Sequence, residues 1–251
     1  MRIAEYAPAV FDGLPQFSTA KRRLHDGAVD DVGMLGDVIV RHGLHLEVGV
    51  CLLHQHFPLD GDERLVKRMG DNRATVRPHR AATTGTVAPY NWTFVTTHSG
   101  PTMVPLEFVE QAPTTASAAR LAATALASVE FLDEFEATLR DLSLIDLFGL
   151  TTLHHDGYTF RLGDILLETT DHDARVLTLE PSPADDYPAE DVTETVWAFS
   201  PKADARPDDT STEGDPQIIC VTCPEPPAPK CGSHCYSHCV GHCVSHPPQN
   251  A

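Results

Sequence analysis

Residues 231–246 run CGSHCYSHCVGHCVSH, four consecutive copies of Cys-x-x-His. Cys231, Cys235, Cys239 and Cys243 are each followed three places later by His234, His238, His242 and His246. Thiolates favour zinc and copper(I), and imidazole suits both metals. A pair at Cys220-x-x-Cys223 adds two thiolates at the tight spacing of a zinc knuckle. In a chain with 7 cysteines and 14 histidines, this concentration at one end is far from random. The chemistry it predicts is soft-metal binding, with zinc or copper(I) as cofactor.

The spacing suits a ligand array. On a helix, steps of three and four residues return to one face. In an irregular chain, Gly232, Gly241 and the interspersed serines let the backbone wrap an ion. Without metal the segment has little to bury, so binding and ordering would be one event. The tandem regularity differs from zinc modules, which combine two close ligand pairs across a longer loop. It points to capacity rather than one shaped site. Three other readings compete: disulfides among the tail cysteines, thioether rings formed with Ser233, Ser237 and Ser245 in a ribosomal-peptide precursor, and an inert repeat expansion.

A second constellation lies at His54-Gln55-His56. In Leu44–Phe57 the even positions are Leu44, Leu46, Val48, Val50, Leu52, His54 and His56. Strand alternation therefore predicts one apolar face that ends in two imidazoles. A metal-dependent enzyme is the reading this supports, with His98, His154 or His155 as a third ligand. The competing structural reading is a pair of strand-end histidines bonded to a neighbouring loop. No HExxH, GxSxG or phosphate-loop pattern is present. Cys51 sits mid-strand among apolar residues and is expected to be a buried small hydrophobe. Trp92 and Trp197 are expected to pack rather than to bind ligand.

These groups need elements to hold them. Helical spacing of Val32, Leu35, Gly36 and Ile39 predicts a helix over 18–41, broken at Gly27. Hairpins are expected around Gly70-Asp71-Asn72, Ser99-Gly100-Pro101 and Asp171-His172-Asp173. An alanine-rich helix is expected from Thr114 or Thr115 to about Arg140. Short strands follow at 144–153, 158–162, 165–169, 175–179 and 193–199. This order predicts an α+β fold with a largely antiparallel sheet and two main helices. The organisation expected is a globular domain over 1–200, an acidic disordered linker over 201–217, and the Cys/His-rich tail over 218–251.

The formal net charge of -18 disfavours binding nucleic acid through a basic surface. Residues 181–217 alone carry ten acids against Lys202 and Arg206. No apolar run approaches membrane-span or signal-peptide length, so a cytoplasmic, reducing setting is expected. The partners expected are metal ions, with metal-linked self-association as a further possibility. Neither nucleic acid nor membrane is expected.

Overall fold

The computed structural model describes residues 2–80, 87–98, 100–110, 128–153, 157–188, 192–201, 216–222 and 234–236. A short strand β1 (Arg2–Ile3) precedes helices α1 (Pro8–Asp12) and α2 (Phe17–Arg23). A wide turn at Leu24–Ala28 then leads to α3 (Val32–Arg41). Gly27 adopts φ 124°, a conformation that L side chains resist, and it breaks the expected 18–41 helix where anticipated. Val32, Leu35, Gly36, Val38 and Ile39 form the buried stripe of α3.

Strands β2 (Val48–Leu52), β3 (Glu63–Met69), β4 (Ala74–Arg80), β5 (Val87–Thr97) and β6 (Gly100–Glu110) follow. The second long helix, α4, spans Val129–Asp141, and the backbone N–H of Phe131 donates to Ser128 Oγ at its start. The alanine-rich first part expected for it, with Thr114 and Thr115, lies outside the described residues. After α4 come β7 (Phe148–Thr152), β8 (Asp164–Asp171), β9 (Val176–Pro183), β10 (Thr193–Phe199), β11 (Pro216–Thr222) and β12 (His234–Tyr236).

The expected strand at 158–162 is absent. Side chains there take backbone donors that a ladder would need: Thr159 N–H donates to Asn72 Oδ1, and Arg161 N–H to Asp164 Oδ2 at 2.7 Å. The strand expected over 193–199 is present, but β11 follows it at the boundary between the acidic linker and the tail.

Strand pairing closes on itself. Among the described residues the ladders run β2–β7–β5–β6–β3–β4–β9–β8–β11–β10 and back to β2. Only β3–β6 and β8–β11 in this ring are parallel. Strands therefore dominate the regular structure of the described residues, which hold a largely antiparallel sheet and four α-helices. No described helix is long and apolar enough to cross a membrane.

Two apolar cores lie on the two sides of this sheet. One joins α3 and α4 to β2, β5, β7 and β10, through Leu35, Ile39, Phe131, Phe135, Phe148 and Trp197. The other, inside the ring, gathers Phe11, Cys51, Leu53, Leu65, Val76, Leu166 and Leu177. β2 serves both: Val48, Val50 and Leu52 face the helical core, and Cys51 faces the interior. Each fully buried Leu or Phe of this kind contributes roughly 1.5–3 kcal/mol.

Candidate metal centre

β2 ends at Leu52, so strand alternation does not carry on to His56 as the sequence pattern suggests. The chain bends beyond Leu52. Gln55 donates to the carbonyls of Phe11 and Asp12 at 3.2 and 2.8 Å, which anchors the bend to α1. The two imidazoles meet all the same, with ring centroids 4.6 Å apart and planes at 74°. His54 packs against Phe17, centroid to centroid 5.1 Å.

His56 lies between two carboxylates. Its Nε2 is 3.3 Å from Glu107 Oε1 and its Nδ1 is 3.4 Å from Glu168 Oε1. The side chains of all three are at most 9% exposed. Glu107 comes from β6 and Glu168 from β8, so the ring's topology is what unites them with the bend after β2. Glu107 is held further by the hydroxyl of Tyr90, which donates to Oε2, and by Asn91 Nδ2, which donates to the same oxygen at 2.9 Å.

The electrostatics follow from burial and this pairing. Burial opposes a charged His56, but the Glu107 contact and the Glu168 and Glu107 charges outweigh it and raise its pKa. Burial likewise pushes Glu107 up, yet its contact with His56, the His56 charge and the Tyr90 hydrogen bond hold it below the usual carboxylate value. Burial, reinforced by the His56 charge, drives His54 down to about 3. His54 is thus a neutral imidazole. Burial and Glu107 raise the Tyr90 phenol well above its ordinary value. Cys51 is buried as expected, and burial followed by the Glu107 charge raises its thiol pKa.

Neutral His54 has a defined tautomer. A carbonyl only accepts, so the 3.0 Å contact between Nδ1 and Leu52 O places the proton on Nδ1. Nε2 then carries the free lone pair. This is the arrangement that orients metal-ligating histidines: one nitrogen donates to a backbone carbonyl and the other faces the ion. His56 offers the same logic with a carboxylate. Its Nε2 is committed to Glu107, and its Nδ1 points toward Glu168. One ligand atom each from His54, His56 and Glu168 lies within 4.8 Å of the others. Zinc bonds of 2.0–2.1 Å require ligand atoms about 3.4 Å apart in a tetrahedron, so modest side-chain closure would complete three positions.

Among the described residues the group that converges with the two imidazoles is a carboxylate, Glu168. His98 is exposed at the β5–β6 turn, and His154 and His155 lie outside the described residues. Motif spacing does not single out Glu168 or Glu107, although each is an acid in an apolar run: Met103-Val-Pro-Leu-Glu107-Phe-Val and Ile165-Leu-Leu-Glu168. A carboxylate on an otherwise buried strand must find a partner, and that is the signal to look for.

Of the tail ligands, Cys220 lies in β11, and His234 and Cys235 lie in β12. β12 pairs antiparallel with β8, with Cys235 in register with Glu168 and His234 with Thr169. Cys223, Cys231, His238, Cys239, His242, Cys243 and His246 are outside the described residues. No family model, curated protein or solved structure matches the chain.

Proposed function

We propose that this chain is a metal-binding protein whose ring interior holds a divalent cation of the zinc class on His54, His56 and Glu168. One observation carries the reading. Two imidazoles and a carboxylate converge, and the far nitrogen of each imidazole is already fixed, by Leu52 O for His54 and by Glu107 for His56. Nitrogen and oxygen donors together suit zinc better than copper(I). The low exposure of the cluster favours a structural cation over an open catalytic one.

The Cys/His tail is a second metal-binding element under the same proposal. Its eight repeat ligands and the Cys220/Cys223 pair are soft donors that suit zinc or copper(I) for sequestration or delivery. The two elements are separable by experiment.

The test is metal analysis of the full-length protein after zinc loading and desalting. In a chain with Cys231, Cys235, Cys239 and Cys243 replaced by serine, one tightly held zinc is expected to remain. His54→Ala or Glu168→Gln then weakens it at least ten-fold, with far-ultraviolet circular dichroism unchanged. Equal zinc retention in the combined His54→Ala/Glu168→Gln chain would refute the interior site.

A further inference from the structure

We infer that residues 35–110 and 135–222 are two copies of one folding unit, paired about an internal two-fold axis, and that the His54–His56–Glu168 cluster is built across the junction between them. The second clause rests on the cation reading above; the first does not.

The equivalence is written in the backbone, at an offset of 100 residues from the helix exits through β2 and β7 and of 101 at the turns that follow. Leu44 N–H donates to Ile39 O at 3.0 Å, and Leu144 N–H to Leu139 O at 2.8 Å. Val48 N–H donates to Leu44 O at 3.0 Å, and Phe148 N–H to Leu144 O at 3.0 Å. Both helix exits pass through a left-handed residue, Gly43 at φ 70° and Ser143 at φ 60°. The turns into the next strands also match: Asp60 N–H donates to the Glu63 carboxylate at 2.8 Å, and Arg161 N–H to that of Asp164 at 2.7 Å.

The contacts between units are reciprocal, as a two-fold axis demands. Leu53 N–H donates to Leu147 O at 2.8 Å, and Leu153 N–H donates to Glu47 O at 2.9 Å. In the β2–β7 ladder Val50 faces Leu150, its own counterpart, so the axis passes between them. Trp92 pairs with Leu150, and Trp197 with Val50. A Cβ on Gly49 would meet Trp197 O at 2.4 Å and Leu153 Cδ2 at 2.9 Å. On Gly149 it would meet Trp92 O at 2.2 Å and Leu53 Cδ2 at 2.8 Å.

The units match in backbone but not in chemistry. β3 runs parallel to β6 with Leu65 opposite Glu107, and β8 runs parallel to β11 with Leu166 opposite Cys220. Cys220 therefore holds the ladder position of Glu107, and Lys67 that of Glu168. His54, His56 and Glu107 come from the first unit and Glu168 from the second. Identical units would build two such clusters; among the described residues there is one. A cation there bonds both units at once and clamps them.

The experiment uses the full chain, its four repeat cysteines replaced by serine, with a protease recognition sequence placed within 111–127 and cut after purification. Native mass spectrometry is expected to find the fragments as a 1:1 complex. Zinc is expected to slow exchange with an isotope-labelled fragment at least ten-fold, and Glu168→Gln to remove that slowing without separating the fragments. Fragments that part or aggregate in native buffer would overturn the paired units. One zinc retained without slower exchange, or zinc carried by the first fragment alone, would overturn the junction site and leave the cation reading intact. No zinc retained by either the cut or the uncut chain would defeat the cation reading and the clamp together. The pairing is then judged in the uncut chain: Gly49→Ala and Gly149→Ala are both expected to lower Tm, and a drop in one alone overturns the equivalence.

Discussion

Nε2 of His56 stands 3.3 Å from Oε1 of Glu107, inside a ring of strands where both side chains are less than a tenth exposed. The contact spans the bend after β2 and the middle of β6, 51 positions apart in sequence. Glu107 also accepts from Tyr90 and Asn91. Glu107→Gln keeps the shape, removes the charge, and leaves His56 facing one carboxylate instead of two. Losing one partner of a buried charged pair costs about 3–5 kcal/mol, with the isosteric amide at the lower end. Urea unfolding of the metal-free protein measures it, and an unchanged midpoint would mean that the contact does not stabilise the fold.

Cobalt distinguishes the two proposed metal elements by colour. The interior site offers nitrogen and oxygen donors, whereas the tail offers thiolates. Cobalt bound by the full-length protein is expected to show a thiolate-to-metal charge-transfer band. Replacing the four repeat cysteines and Cys220 and Cys223 by serine should abolish that band and keep the weaker visible bands. Loss of both sets in the serine chain would assign all binding to the tail.

Glu63 and Arg175 predict a pH dependence away from the metal centre. Arg175 sits at φ 51° at the end of the β8–β9 turn, and its guanidinium reaches both Glu63 carboxylate oxygens and, at 2.8 Å, Pro58 O. Burial raises the Glu63 pKa, but the Arg175 hydrogen bond, the Asp60 N–H and the Arg175 and Arg80 charges bring it below the ordinary carboxylate value. A depressed carboxylate stabilises the fold above its unfolded pKa, and the contribution is lost as pH falls through the folded value. Glu63→Gln should cost about 1–2 kcal/mol at neutral pH, and the gap to the native chain should close in acid. A gap that stays constant from pH 7 down to the acid transition would show that the pair is not the cause.

Gly36 sets the distance between α3 and β10. A Cβ there would lie 2.2 Å from Phe199 Cδ1, and Phe199 is itself fully buried, so the ring cannot swing out to solvent. Gly36→Ala should therefore destabilise by about 1–3 kcal/mol despite alanine's better helix propensity. Thermal unfolding checks the sign. A raised Tm would show that the helix can shift to accommodate the methyl.

Local patterns were legible wherever neighbours in sequence decide them. The break at Gly27 follows from one residue's conformational freedom. The hairpins at 63–80, 87–110 and 164–183 follow from alternation and turn residues, and the burial of Cys51, Trp92 and Trp197 follows from apolar surroundings. The apolar even positions 48, 50 and 52 share one face, as alternation predicts, because a pleated strand alternates whatever it packs against. The strand at 158–162 failed because Asn72 and Asp164 supply acceptors from other parts of the chain.

The sequence by itself determined the types of donor available, the ligand-dense tail, the acidic balance and the rhythm of strands and helices, all of which are set by residues within a few positions of one another. Only the tertiary structure decided that β2 stops before its histidines, that strand pairing closes into a ring, and that Glu107 and Glu168 reach His56. It alone exposed the repeated backbone, since between 39–56 and 139–156 only Leu44/Leu144, Gly49/Gly149, Leu53/Leu153 and His54/His154 coincide. The physical reason is separation along the chain: pairing between distant strands is fixed by the whole packed interior, and a one-dimensional pattern carries no record of which strand will lie beside which.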